Sequence, residues 1–98
     1  MDKTQTLLTC LIEECAEVQQ AATKILRFGL YAGDPGSDTN NQIDLAYEII
    51  DLIAICEMLR DLNVIPYEMC GLYNPNNRTL LQAKKDKVIK HMPNDIEE

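Results

Sequence analysis

The sequence predicts an all-α fold: an antiparallel helical bundle of three main helices and a possible short one, completed by oligomerisation. Three long stretches contain neither glycine nor proline, as helices of a small domain require. Apolar residues recur at helical spacing in the first and last stretches. The middle stretch, 42–60, is apolar around nearly its whole circumference. One or two partner helices cannot cover such a surface, so we expect a second copy of the chain to do so.

The first helix is expected to begin at a cap on Thr4 or Thr6 and to end near Phe28, where Gly29 is a stop signal. Its apolar face repeats at helical spacing and predicts the side that packs in the core. The residues of this face are Leu7, Leu8, Leu11, Ile12, Cys15, Val18, Ala22, Ile25 and Leu26.

A second stripe of the first helix carries acidic residues. Glu14 and Glu17 are three residues apart and therefore lie on one face. Lys24 follows two turns later on the same stripe, and Arg27 is its neighbour. Taken alone, this pattern is more typical of a solvated helix face than of a site.

The middle helix also carries two acidic residues three positions apart, but here they lie among apolar residues. Glu48 and Asp51 are three residues apart, and Asp44 extends their stripe towards the N-terminus. Carboxylates are rarely buried unless they are paired or bind a metal. Because this helix is predicted to be buried on most sides, a cation is expected opposite Glu48 and Asp51. The helix should stop near 62–63, since Pro66 prevents its continuation.

The loop 29–41, GLYAGDPGSDTNN, holds three of the four glycines and is expected to be irregular and exposed. It is long for a helix connection, and such loops often serve a site. Its acids lack the spacing of a calcium loop. The candidate caps for the middle helix are Ser37, Asp38, Thr39 and Asn40.

The last third of the chain is expected to contain a short helix or turn at 66–72, a turn at 73–77 and a helix at 78–91 capped by Asn76 or Asn77. Four lysines lie in the second half of that helix. They are expected either to complement the helix dipole or to contact phosphate. They are Lys84, Lys85, Lys87 and Lys90. Residues 1–92 are predicted to form a single domain, followed by a polar, frayed tail at 93–98.

Composition narrows the classes of function. A net charge of −7 argues against a binder of nucleic acid or anionic membrane. No apolar run reaches about 18 residues, and the N-terminus lacks the form of a signal peptide, so a cytoplasmic protein is expected. No C-x-x-C pair occurs among the four cysteines. Cys10, Cys15 and Cys56 fall at apolar positions and are predicted to be core residues in a reducing cytosol.

The two acidic pairs together predict a metal site. Adjacent antiparallel helices would direct four carboxylates into one groove, where they repel unless cations are present. Ligation by oxygen alone suits Mg²⁺, or Mn²⁺, rather than zinc. His91, the single histidine, lies in the last helix, so the Glu-x-x-His pattern of di-iron bundles is absent. No glycine-rich phosphate loop occurs, so phosphate would be bound through metals and side chains.

The motif Glu14-x-x-Glu17 followed by Glu48-x-x-Asp51 resembles the E-x-x-E…E-x-x-D signature of the all-α nucleoside triphosphate pyrophosphohydrolases. This MazG-like superfamily includes dimeric dUTPases and dCTP pyrophosphatases. The segments EECAEVQQAATKILRFG, TNNQIDLAYEIIDLIAI and AKKDKVIKHM are similar to helices of short, single-domain members. The resemblance covers about residues 5–92 and departs at 64–77 and in the glycine-containing loop 29–41, whose length varies among members.

The resemblance implies an enzyme that hydrolyses nucleoside triphosphates between the α and β phosphates, giving a monophosphate and pyrophosphate. It implies Mg²⁺ as cofactor and a homodimer or homotetramer as the assembly. Glu14 or Glu17 would orient or deprotonate the attacking water. The implied metal-binding and catalytic residues are Glu14, Glu17, Glu48 and Asp51. The candidates for substrate contact are Lys24, Arg27, Asn40, Lys84 and Lys87.

Two alternatives remain beside the enzyme. The first is a catalytically silent helical protein that binds nucleotide or metal on the same scaffold. The second is an interaction module whose acids only set helix register or partner choice. The sequence leaves open the preferred base and sugar, the physiological role and whether a neighbouring subunit completes the site.

Overall fold

A computed structural model describes residues 1–69 and 75–93, apart from the side chains of residues 69, 75 and 76. These ranges contain three α-helices and one short 3₁₀-helix, and no β-strand. The all-α prediction is therefore confirmed for the described part of the chain. The elements are α1 at Lys3–Phe28, α2 at Asn41–Asp61, the 3₁₀-helix at Tyr67–Met69 and α3 at Pro75–Lys90.

Helix α1 begins earlier than predicted, because Asp2 and not a threonine provides its cap. The Asp2 carboxylate accepts a 2.8 Å hydrogen bond from the backbone N–H of Gln5. The Gln5 side chain in turn accepts a 3.0 Å bond from the Asp2 N–H. This capping box satisfies two helix-end donors at once, while the Thr6 hydroxyl donates to the Asp2 carbonyl inside the helix. The helix ends at Gly29 as predicted, with φ +93°.

The loop between α1 and α2 is bonded to the start of α2. Asn40, one of the four predicted caps, accepts a 2.9 Å bond from the Ile43 N–H. The N–H groups of Asn41 and Gln42 donate to loop carbonyls at 2.9 Å each. These bonds satisfy helix-end donors that have no partner within α2. At Gly33 any side chain would meet the Thr39 carbonyl at 2.8 Å, so the loop requires glycine there.

Helix α2 ends where expected, but the cause is a local cap and not Pro66. Asn63 adopts a left-handed conformation with φ +61°. Its N–H donates to the Arg60 carbonyl at 2.9 Å, and the Val64 N–H donates to the Leu59 carbonyl at 3.0 Å. This pair of bonds is a Schellman motif, which ends the helix before proline can act. The Arg60 guanidinium then lies 5.0 Å from the centre of the Tyr67 ring, linking α2 to the 3₁₀-helix.

Helix α3 begins three residues before the predicted 78, so the prediction that Asn76 or Asn77 caps it was wrong. Proline is favoured in a first helical turn, because its missing N–H has no partner there in any case, and Pro75 opens the helix. Asn77 lies inside the helix and is buried. Helix α3 contacts the 3₁₀-helix. Parts of the predicted turns at 66–72 and 73–77, and the tail from 94, lie outside the described residues.

Helices α1 and α2 pack against each other. Asn41, at the start of α2, donates through its side chain to the carbonyl of Gly29 at 3.1 Å and to that of Lys24 at 3.4 Å. Glu48, two turns later, lies with residues earlier in α1. The buried apolar side chains of the described residues are Leu7, Ala21 and Leu59.

Burial is lower than the sequence predicted. Helix α2 was expected to be buried on most sides, yet Ile50 is 57% exposed and Ile43 is 36% exposed. Cys15, predicted to be a core residue, is exposed, while Cys10 and Cys56 are half-buried. The cause is that, among the elements that the structure describes, α1 alone packs extensively on α2, and one helix covers only one face of another. None of the described helices combines the length and apolar character needed to cross a membrane.

Candidate metal centre and adjoining groove

Three carboxylates from α1 and α2 meet between the two helices. Each of Glu14, Glu17 and Glu48 offers an oxygen that lies within 4.8 Å of the other two. The spacing of three residues puts Glu14 and Glu17 on one face of α1, and the packing of α2 brings Glu48 opposite them. We call these three residues the acid cluster.

Two oxygens of the acid cluster are buried without a hydrogen-bond donor. They are Oε2 of Glu14 and Oε2 of Glu48, and both residues are half-buried. A buried acceptor without a partner costs free energy, and a carboxylate costs more than a neutral group. Glu17 is exposed. The cluster therefore has one side within the protein and one side open to solvent.

Burial, hydrogen bonding with Glu17 and mutual repulsion raise the pKa of two members of the cluster. The pKa of Glu14 is raised by burial first, and then by the charges of Glu17, Asp51 and Glu13 and by hydrogen bonding with Glu17. The pKa of Glu48 is raised first by hydrogen bonding with the Glu17 side chain, then by burial, and then by the charges of Glu17, Asp51 and Glu14. The group thus favours an added positive charge, which either a proton or a metal ion supplies.

Asp51, the fourth predicted ligand, is one turn further along α2 and is exposed. It does not belong to the group of oxygens within 4.8 Å of one another. Its charge nevertheless raises the pKa of both Glu14 and Glu48. The structure therefore brings three of the four predicted carboxylates together and leaves Asp51 beside them.

The donor set of the acid cluster fits a hard divalent cation. All its atoms are carboxylate oxygens, which Mg²⁺ and Mn²⁺ prefer, and zinc sites usually include nitrogen or sulfur. The two buried oxygens without donors are the positions at which a cation would remove the cost of burial. The cluster is thus a candidate site for Mg²⁺.

An open groove adjoins the acid cluster between α1 and α2. Its volume is about 500 Å³, within the range of about 300–1,000 Å³ of small-molecule sites. Buried Ala21 lines it with a side chain of one methyl group, which leaves room between the helices. The lining residues are Glu17, Gln20, Ala21, Lys24, Asn41, Asp44, Tyr47 and Glu48.

Lys24 is the one cationic residue among the described residues that line this groove. It follows Glu17 by seven residues, or about 10.5 Å along the axis of α1. Its backbone carbonyl accepts the side-chain hydrogen bond of Asn41, so the two helices are tied together at this end of the groove. The prediction that Lys24 shares a stripe with the acids agrees with this placement.

The other predicted substrate residues do not line the groove. The Arg27 guanidinium lies 5.1 Å from the centre of the Phe28 ring. The Asn40 side-chain oxygen is engaged as the cap of α2. Lys84 and Lys87 are exposed on α3. Substrate contact by these four residues stays a prediction.

Sequence reasoning did not single out Gln20, Asn41 or Tyr47 as groove residues. Gln20 follows Glu17 by three residues, so helical spacing from the acids would have found it. Tyr47 is adjacent to Glu48 in sequence and lies on the flank of the acidic stripe, where spacing gives no signal. Asparagine is a residue type that often caps helices. Only the hydrogen bonds from the Asn41 side chain to the carbonyls of Lys24 and Gly29 show that it joins the two helices.

No protein-family model matches the chain, and no curated protein or solved structure matches it either. The resemblance to MazG-like pyrophosphohydrolases therefore depends on the motif and stays a hypothesis. The site has to be interpreted from its own chemistry.

Proposed function

We propose that this protein is a Mg²⁺-dependent nucleoside triphosphate pyrophosphohydrolase that cleaves between the α and β phosphates. The observation that supports this most is the acid cluster, whose two buried oxygens lack donors and which opens into a groove of about 500 Å³. A triphosphate with a divalent cation would supply a metal ion for the acids and a phosphate group for Lys24.

The acid cluster would bind Mg²⁺, or Mn²⁺, with Asp51 adding negative charge beside it. The bound metal would polarise phosphate oxygens and lower the pKa of a coordinated water. Glu17 is exposed and lines the groove, whereas Glu14 does not line it. We therefore assign to Glu17 the orientation of the attacking water, and to Glu14 and Glu48 the anchoring of the metal.

Lys24 is the proposed phosphate contact. Its ammonium is carried on four methylene groups, which allow it to reach towards the acid cluster. The positive charge would offset the charge of the released pyrophosphate. Arg27, Asn40, Lys84 and Lys87 are weaker candidates for this role, because they lie outside the lining of the groove.

A second copy of the chain is part of the proposal, and helix α2 offers the surface for it. Four exposed apolar residues follow one another at intervals of three or four along the side of α2 away from the acids. We call them the outer stripe: Ile43, Ala46, Ile50 and Ala54. We propose that a homodimer or homotetramer buries this stripe and completes an antiparallel bundle. The chain would then be a cytoplasmic member of the MazG-like superfamily.

Pyrophosphate release from a panel of ribo- and deoxyribonucleoside triphosphates, with Mg²⁺ and with EDTA, tests the proposed function. The expected result is release that requires the metal, with the nucleoside monophosphate as co-product. If no triphosphate yields pyrophosphate with Mg²⁺ or Mn²⁺, the catalytic proposal is wrong. Binding of Mg²⁺-nucleotide without turnover would then favour the silent binding protein.

A further inference from the structure

Apart from Asn41, which joins the helices, three polar groove residues have no part in the proposed chemistry. Gln20 of α1 and Asp44 and Tyr47 of α2 line the groove beyond the acid cluster. None of them belongs to the cluster, and Lys24 already provides the phosphate contact. Together they bring an aromatic ring, an amide and a carboxylate to the groove, and the ring of Tyr47 is the one aromatic group among its described lining residues.

Tyr47 presents an uncovered ring to the groove. The residue is 58% exposed, although a tyrosine ring has a large apolar surface. A flat aromatic face beside a polar site is a stacking surface for a nucleobase. The neighbouring acid cluster would hold the metal and phosphates of the same ligand.

Asp44 and Gln20 offer hydrogen bonds of complementary types. The Asp44 carboxylate only accepts, whereas the Gln20 amide both donates and accepts. A carboxylate repels phosphate when no cation lies between them, but it binds a hydroxyl or amino group well. Asp44 is half-buried and so is partly shielded from solvent. This part of the groove therefore suits the uncharged nucleoside better than it suits the phosphates.

We infer that Gln20, Asp44 and Tyr47 form a nucleoside-binding wall, with Tyr47 against the face of the base and Asp44 accepting a hydrogen bond from the nucleoside. Gln20, on the facing helix, contacts the nucleoside from the other side. The inference depends on the proposed function, since it assigns the nucleoside of that same substrate. It names the residues through which the enzyme selects its base or sugar.

The first test compares Tyr47→Ala and Tyr47→Phe with the wild type. Loss of the ring should raise KM for the preferred triphosphate about 10-fold or more, while Tyr47→Phe keeps the stacking face and stays close to the wild type. Inhibition by inorganic tripolyphosphate, which has no nucleoside, should be unchanged in both variants. Tyr31→Ala is the matched control, since Tyr31 is 74% exposed and lies outside the groove.

The second test is Asp44→Asn, which exchanges an acceptor for a side chain that also donates. If Asp44 binds an exocyclic amino group, the variant should shift the ratio of kcat/KM for amino-bearing bases over keto bases by about 10-fold. If it binds a sugar hydroxyl, the ratio for ribo- over deoxyribonucleotides should shift instead. Asp38→Asn, in the exposed loop, is the control for the loss of one charge.

Particular outcomes would overturn the inference. Unchanged KM values in Tyr47→Ala and unchanged selectivity in Asp44→Asn would contradict it while the wild type still hydrolyses triphosphates. A parallel weakening of tripolyphosphate inhibition would contradict it too, because the variants would then act on the phosphate site. A wild type that releases no pyrophosphate would instead refute the proposed function on which the inference depends. Circular dichroism and size-exclusion chromatography verify that each variant keeps its fold and assembly.

Discussion

Helix α2 has an inner face towards α1 and an outer face towards solvent, and each carries residues that are normally found on the other. The inner face puts the carboxylate of Glu48 against α1, where Oε2 is buried without a donor. The outer face leaves Ile50 57% exposed. Charged groups normally lie in water and large apolar groups in the core. Helix α2 thus places a carboxylate against α1 and leaves large apolar side chains exposed on its other side.

The comparison teaches that each face requires a different partner. An acidic interior is stabilised by a cation, because burial and repulsion both penalise the ionised carboxylates. An apolar exterior is stabilised by another protein surface, because contact removes it from water. The composition and periodicity of the sequence identify both faces, but they do not show which of the two packs on α1. The distinction between them comes from α1, which brings Glu14 and Glu17 to one face and leaves the other uncovered.

The largest expected effect concerns the inner face. Glu48→Gln keeps the shape of the side chain and removes one charge from the acid cluster. Removing one electrostatic group that stabilises a transition state typically lowers kcat by about 10²–10³-fold, and we expect a loss of that order. Pyrophosphate release at saturating Mg²⁺ measures it. Glu57→Gln is the matched control, because Glu57 is exposed on the same helix and does not line the groove. Full Mg²⁺-dependent turnover by Glu48→Gln would remove the acid cluster from the mechanism.

The outer face is tested by Ile50→Glu, which puts a charge in the middle of the outer stripe. A charge buried without a partner costs about 3–5 kcal/mol, so the dissociation constant of the assembly should rise about 100-fold or more. Sedimentation velocity over a range of protein concentrations measures this change. Tyr31→Glu, on the loop, should leave the assembly intact. If Ile50→Glu associates as tightly as the wild type, the second copy does not bind at the outer stripe.

The next, smaller effect shows whether Asn40 only caps α2 or also contacts the substrate. Asn40→Ala removes the cap of α2 and should lower the free energy of unfolding by about 1 kcal/mol. Asn40→Asp keeps an oxygen acceptor and should restore most of that stability. If Asn40 only caps the helix, both variants should keep the KM of the wild type, measured well below the unfolding temperature. A rise of KM in the stable Asn40→Asp variant would show that Asn40 contacts the substrate.

The subtlest effect is the pH dependence of stability without divalent cations. The pKa of Glu48 is raised above its ordinary value of 4.5, so the folded state binds this proton more tightly than the unfolded state does. Its contribution to stability is complete below about 4.5 and is lost as pH rises through the raised pKa. Glu48→Gln does not titrate, so its melting temperature should increase relative to the wild type as pH rises through this window. A constant difference in melting temperature across the window would contradict the raised pKa.

Local spacing allowed the helices to be predicted, together with the helix face on which each acidic pair lies. Gly29 as a helix stop and Asn40 as a cap are local signals, and the structure confirms both. The meeting of Glu14 and Glu17 with Glu48 required one further assumption, that the two helices are adjacent, and the structure shows this packing. The error at Asp2 also has a local cause, since its capping box with Gln5 competes with the threonine caps.

Features that depend on packing could not be predicted in the same way. The place of Tyr47 in the groove follows from how α1 and α2 pack, which no single-helix pattern encodes. The exposure of Cys15 depends on which other surfaces cover α1, and the apolar periodicity predicts only that a partner exists. Asp51 shares the stripe of Glu48 but lies outside the cluster, because the spacing fixes a face and not a distance.

The central claim is that the inner face of α2 binds a divalent cation, and thermal unfolding with increasing Mg²⁺ tests it most directly. At 100 times the dissociation constant, binding should stabilise the wild type by about 2.7 kcal/mol, or about 11–22 °C in melting temperature. The ionic strength is matched with NaCl, so that general screening is removed from the comparison. We predict that the wild type and Glu57→Gln show the shift and that Glu48→Gln loses it. Equal shifts in all three proteins, or none in any, would contradict the account.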